Sequence, residues 1–186
     1  MNLSKLFEAQ RQLDNRIVKE KGLEGQDLLP KKILALQVEL GELANEHRGF
    51  KFWSNDQEPR RIKKSIAFAN PSGPFEYVTY PLLEEYVDCL HFILSIGNEY
   101  GYKSEPTLAI VPDNVLDQLN DLFKIVSFMD NLYKDMGYGC GVHDFYDDLL
   151  GNFMNLGKLL GFTWEQIEQA YFDKNQTNHR RQENGY

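Results

Sequence analysis

Two long helical segments constrain this chain more than any other feature. Each opens at a proline, and each carries a pair of acids inside an apolar surround. The first follows Pro30 and runs over residues 31–48; the second opens at Pro81 and runs to about residue 100. Proline suits the first helical turn, where its missing N–H leaves no bond unmade. Gly49 and Gly101 stand where such helices stop. On the first segment Glu39 and Glu42 are three apart, and Glu46 continues their arc. On the second, Glu85 and Asp88 are also three apart. Residues at i and i+3 share a helix face. Leu36, Leu40 and Leu43 flank the first arc on one side, Leu34 and Val38 on the other. On the second segment Leu83, Tyr86, Val87, Leu90, Leu94 and Gly97 form one stripe, while Cys89, Phe92 and Ile96 surround the acids. A helix that is apolar nearly all round belongs at the centre of its fold.

Carboxylates on such helices are partly desolvated and repel one another, so their pKa values rise unless something compensates. A hard divalent cation, Mg²⁺ or Mn²⁺, is the economical compensation, because it takes about six oxygen ligands including waters. A single Glu-x-x-Glu is ordinarily explained by salt bridges to Lys or Arg. Two such pairs on two candidate core helices point more specifically to a metal site.

The remaining pattern is also helical. Helices are expected over residues 2–20, 113–136, 142–160 and 163–179, with Thr163 as N-cap and Gln166 completing a capping box. Residues 54–80 form an irregular insertion between the two acidic helices. There the pattern predicts a short helix near 56–68 and a loop at 69–80. The expected fold is all-α, a bundle of long helices in one domain over residues 1–186. Gly137, Gly139 and Gly141 mimic a phosphate-binding loop, but no strand precedes them, so they read as a helix-to-helix turn.

Composition excludes several classes. Hydrophobic residues make up 42% of the chain, too many for a disordered solvating segment. A net charge of −8 opposes the coating of a nucleic-acid polymer, which needs a basic face. Cys89 and Cys140 make neither a disulfide framework nor a zinc pattern, and read as reduced, buried thiols. No stretch approaches the roughly 18 apolar residues of a membrane helix. The N-terminus lacks a signal peptide's apolar core, so a cytoplasmic location is expected.

The order Glu-x-x-Glu, then Glu-x-x-Asp on the next long helix, resembles the all-α nucleoside-triphosphate pyrophosphohydrolases, which include the MazG-like proteins and the dimeric dUTPases. Three further segments resemble the dimeric dUTPases in particular. They are Leu6-Phe7-Glu8-Ala9-Gln10-Arg11-Gln12-Leu13-Asp14, Phe50-Lys51-Phe52-Trp53, and the stretch from Lys174-Asn175 through Asn178 and Arg181-Gln182 to Gly185-Tyr186. Glu85-Tyr86-Val87-Asp88-Cys89-Leu90-His91-Phe92 is similar to the family's second acidic helix. Asp14 stands where several members carry Asn. The 54–80 insertion and most of 100–160 show no segment that resembles the family pattern.

The resemblance implies a homodimeric enzyme that hydrolyses dUTP, and dUDP as well, to dUMP. It implies Mg²⁺ ions, with Mn²⁺ as a substitute, held by Glu39, Glu42, Glu85 and Asp88, with Glu39 the first choice of general base. It also implies base recognition by Gln10 and Asn178, an aromatic contact from Trp53, and phosphate contacts from Lys174 and Arg181. A Gln amide can donate to a base carbonyl and accept from an imide N–H. His91 reads as a hydrogen-bonded structural residue.

Three other readings stand beside this one. The preferred nucleotide is then dCTP or a non-standard base, or the chain is a di-iron bundle, or it is a helical interaction module without activity. A di-iron bundle wants two Glu-x-x-His pairs, and the chain offers only Asp88-x-x-His91.

Overall fold

The computed structural model describes residues 3–67, 73–102, 112–136 and 142–185. It contains six helices and one small hairpin: α1 (Leu3–Glu20), α2 (Leu29–His47), β1 (Lys63–Ala67), β2 (Phe75–Thr79), α3 (Pro81–Glu99), α4 (Val115–Met136), α5 (Val142–Leu159) and α6 (Trp164–Glu183). The fold is all-α, as its sequence periodicity requires. No helix among the described residues is long and apolar enough to cross a membrane.

α3 is the central helix. It packs against α1, α2, α5 and α6, while α4 closes the far side against α2 and α5. Eleven of its residues are buried, from Leu82 to Gly97. Two tyrosines lock it to α5. The Tyr86 ring stacks on Phe153 at 4.3 Å and its hydroxyl donates to the Phe153 carbonyl. The Tyr146 hydroxyl donates to the Ile93 carbonyl at 2.9 Å. Cys89 is a free, fully buried thiol on this helix, while Cys140 and the glycine-rich turn at 137–141 lie outside the described residues.

The helix ends follow local chemistry. Thr163 and Gln166 form the expected capping box of α6. α2 stops at His47, two residues before Gly49, with Arg48 itself left-handed at φ 66°. A non-glycine residue there is strained. The Arg48 guanidinium offsets that strain by donating to the Asp56 carbonyl at 2.6 Å and pairing with the Asp56 carboxylate at 3.1 Å.

The short helix expected at 56–68 does not form. Residues 63–67 are a strand, paired antiparallel with 75–79 so that Lys63 faces Thr79 and Ala67 faces Phe75. Within the expected 69–80 loop, residues 75–79 form the second strand. Ile62 and Ile66 lie four apart and imitate a helical stripe, yet both are exposed. With no core to bury that stripe against, pairing with the aromatic and β-branched Phe75–Thr79 decides the conformation.

Candidate active site

Four helices send one stripe each into a shared cavity of about 390 Å³. α1 contributes Gln10, Leu13, Asp14 and Ile17; α2 contributes Lys32 and Glu39; α3 contributes Asp88, His91, Phe92 and Ser95; α6 contributes Lys174, Asn178, Arg181 and Gln182. On α1 and α3 the spacing is i, i+3, i+4, i+7, one face of each helix. The expected end of α6 at residue 179 falls short. The helix runs on to Glu183 and so carries Arg181 on an ordered face rather than in a tail.

Glu39 and Asp88 of this cavity are joined by Glu85: oxygens of the three all lie within 4.8 Å of one another. Burial, with Asp88 and Glu42 adding repulsion, pushes the Glu39 carboxyl up to about 7. Glu85 is pushed up to about 7 as well, by burial and then by Asp88, Glu42 and Glu39. Burial raises Asp88 too, while Lys174, donating to it at 2.5 Å, pulls the other way. Glu42 thus belongs to the same electrostatic cluster, although it stands outside the trio of closest oxygens. These acids are short of positive charge in the folded chain. An all-oxygen set so close together fits a hard divalent cation.

That arrangement has a pH signature. Glu39 and Glu85 bind protons more tightly when folded (about 7) than at the ordinary value of 4.5. Their protonation therefore favours the fold, and this contribution is lost as pH rises from 4.5 through 7. The buried His91, lowered to about 3, acts in the opposite sense below its ordinary 6.5. Comparison with a variant isolates the acids. In the absence of divalent ions the wild-type Tm should fall more steeply than that of Glu85→Gln between pH 5 and 8. Added Mg²⁺ should raise the wild-type Tm most at pH 8. Parallel Tm profiles for the two proteins would remove the repulsive cluster from the account.

The upper half of the cavity is a hydrogen-bonded network around Gln10, which is buried. Gln10 Nε2 donates to Asp14 Oδ1 at 2.8 Å, and its Oε1 lies 2.7 Å from His91 Nδ1 and 2.9 Å from the Tyr171 hydroxyl. The His91 ring stacks on Tyr171 at 4.3 Å. His91 Nε2 is buried and has no partner. The Ser95 hydroxyl donates to Asp14 Oδ2 at 2.7 Å, and Lys32 Nζ lies 3.9 Å from the same oxygen. Burial raises the Asp14 carboxyl, while Lys32, Ser95 and Gln10 oppose the rise. Across the cavity, Arg181 donates to Asn178 Oδ1 at 3.3 Å.

Of the residues singled out from sequence, Gln10, Glu39, Asp88, Lys174, Asn178 and Arg181 meet in the cavity, and Glu85 joins them through the carboxylate trio. Trp53 does not. It stands on the surface, 65% exposed, edge-on to Phe50 and Phe52. Lys32, Ser95 and Phe92 were not singled out as site residues, while His91, read from the sequence as a hydrogen-bonded structural residue, is hydrogen-bonded to Gln10. Ser95 and His91 were legible in principle, because they repeat the Asp88 face at helical spacing.

A family model described as dUTPase matches residues 2–67 and 76–186. A comparison with curated proteins finds no significant match.

Proposed function

Since the chain belongs to the dUTPase family and is a dUTP-hydrolysing enzyme, we propose that its hydrolysis depends on a divalent cation. In this reading Glu39, Glu42, Glu85 and Asp88 hold the cation, dUDP is a second substrate, and the enzyme works as a homodimer. One observation carries the reading. Glu39 and Asp88, grouped with Glu85 in the trio, line a cavity whose other walls present Gln10, Lys174, Asn178 and Arg181. An acidic cluster alone repels a triphosphate. An acidic cluster that takes Mg²⁺, with two cations beside it, attracts one.

Bound there, Mg²⁺ or Mn²⁺ supplies charge neutralisation along the phosphates and acidifies a water for attack. The chain's own groups do the rest. Lys174 is a point charge and Arg181 a planar fork, both suited to phosphate oxygens. Glu39 is placed to take the proton of the attacking water. The balance is one water consumed and one phosphoanhydride bond broken, giving dUMP and pyrophosphate from dUTP. Gln10 and Asn178 meet the base. The homodimer is supported by apolar side chains left on the surface, among them Phe52, Trp53, Leu34 and Val38. A contiguous patch of such groups marks an interface.

A panel of nucleoside triphosphates with Mg²⁺ tests the reading. dUTP should be turned over at least tenfold faster than dTTP or dCTP, and chelation of the metal should abolish turnover. Turnover that survives chelation would remove the cation from the mechanism. Equal turnover of dCTP or dTTP would favour the related pyrophosphohydrolase with another preferred base.

A further inference from the structure

Lys174 is already engaged before any ligand arrives. Its ammonium donates to Asp88 Oδ2 at 2.5 Å, across 86 residues of sequence, and the two side chains are only 24% and 19% exposed. Asp88 is one of the three acids whose oxygens lie within 4.8 Å of one another. The ammonium therefore stands against the whole trio, and it opposes the rise that burial causes at Glu39, Glu85 and Asp88. A charge pair this far out of water is costly to break, because the partner left behind is uncompensated. One ammonium among several carboxylates compensates them only in part.

The same side chain also lines the main cavity beside Arg181. A second cavity of about 260 Å³, walled by Leu83, Val87, Ala170 and Thr177, reaches Lys174 as well, so its flexible four-carbon stem has room to swing. Two positive charges do not share the acid cluster without cost. A divalent cation among the trio repels an ammonium held at Asp88 and competes with it for the Asp88 oxygens. A triphosphate attracts both. Cation and triphosphate thus favour the same arrangement, with Lys174 off Asp88. Ligands that favour one arrangement of a protein assist each other's binding.

We propose that Lys174 is the resident counter-charge of the empty acid cluster, holding Asp88 until a triphosphate draws it onto a phosphate oxygen, so that loading of the cation is coupled to binding of the nucleotide. The inference rests on cation and nucleotide binding as proposed above. What it adds to a phosphate contact is the exchange of partners. Lys174 opposes the cation while the cavity is empty and ceases to oppose it once the triphosphate is there.

The test is the Mg²⁺ affinity of the nucleotide-free protein, titrated by calorimetry above the carboxyls of Glu39 and Glu85, which stand at about 7. Turnover is not the readout, since losing a phosphate contact lowers it on either account. Lys174→Met removes the charge and keeps an unbranched stem; it should bind Mg²⁺ about tenfold more tightly than the wild type. Lys174→Arg keeps the charge and should bind as weakly as the wild type. A lysine that served only the phosphates, or only the packing of α6 on α3, predicts no gain in Lys174→Met, and that result would overturn the inference. A second measurement needs no variant: the crystal structure of the wild type with Mg²⁺ and the α,β-imido analogue of dUTP. There Lys174 Nζ should lie about 3 Å from a phosphate oxygen and beyond hydrogen-bonding reach of Asp88. An ammonium still seated on Asp88 in that complex would equally overturn it. Wild-type turnover of dUTP that needs no divalent cation would instead refute the proposed function.

Discussion

Replacing Glu39 by Gln is expected to lower kcat for dUTP about 10³-fold while leaving the fold intact. Two roles are removed by one change. In the proposed reading the variant loses one oxygen of the trio with Glu85 and Asp88, and it loses the proposed general base. General bases are typically worth 10²–10⁴ in rate. Stability should move the other way. The Glu39 carboxylate repels Asp88 and Glu42, and it raises Glu85. A neutral amide of the same shape relieves that repulsion, so the metal-free Tm should hold or rise. The Mg²⁺-dependent rise in Tm should shrink, because the cation stabilises only what it binds in the folded state. Glu46→Gln is the control, on the same helix but paired with Arg60 at 3.0 Å; it should keep most of its turnover. Unchanged kcat in Glu39→Gln would sink the chemistry assigned to the trio.

Why the acids were legible and other parts were not comes down to range. Glu39, Glu85 and Asp88 were found because each sits among apolar residues within its own helix, a pattern of local spacing. The six helices were found for the same reason. The hairpin was missed because its stability comes from pairing Lys63 with Thr79, sixteen residues away, and no local pattern encodes that register. Ile62 and Ile66, four apart, actively suggested the wrong answer. The stop of α2 was placed at the obvious glycine, whereas the chain turns left-handed at Arg48, because its guanidinium reaches Asp56.

The binding half of the cavity divides in the same way. Gln10, Lys174, Asn178 and Arg181 came from resemblance, and the fold brings all four to one cavity. Resemblance also nominated Trp53, which the fold of a single chain leaves on the surface. Lys32 had no signal at all. It sits near the start of α2, seven residues before Glu39, and meets Asp14 only because α1 and α2 both flank α3. The roles of His91 and Ser95 depend on partners 81 residues away in sequence, Gln10 and Asp14. Their side chains were visible on the Asp88 face, but what they hold was not.

The largest expected effect on stability lies at the other end of α3, in Gly97→Ala. Gly97 closes the apolar stripe of that helix and is buried. A Cβ there would stand 2.2 Å from the Tyr146 hydroxyl oxygen, 2.4 Å from the adjoining ring carbon and 2.8 Å from the Phe7 ring. None of these atoms can step aside cheaply. Tyr146 is completely buried, and its hydroxyl is spent on the Ile93 carbonyl. Overpacking of this sort costs about 1–3 kcal/mol. Losing the buried hydroxyl's bond adds about 1–3 kcal/mol. Alanine's better helix propensity returns about 1 kcal/mol. The net is roughly 3 kcal/mol, and at roughly 2–4 °C per kcal/mol for a chain this long the Tm should drop by about 6–12 °C. A double-mutant cycle with Tyr146→Leu ties the loss to this contact. Removing the rigid ring end should make Gly97→Ala much less costly, a coupling well beyond the scatter of independent sites. Additive losses in that cycle would show that α3 and α5 do not meet at Gly97 as described. The effect should reach the active site only through stability. Asp88 and Glu85 lie nine and twelve residues before Gly97, so kcat measured well below the lowered Tm should remain close to that of the wild type.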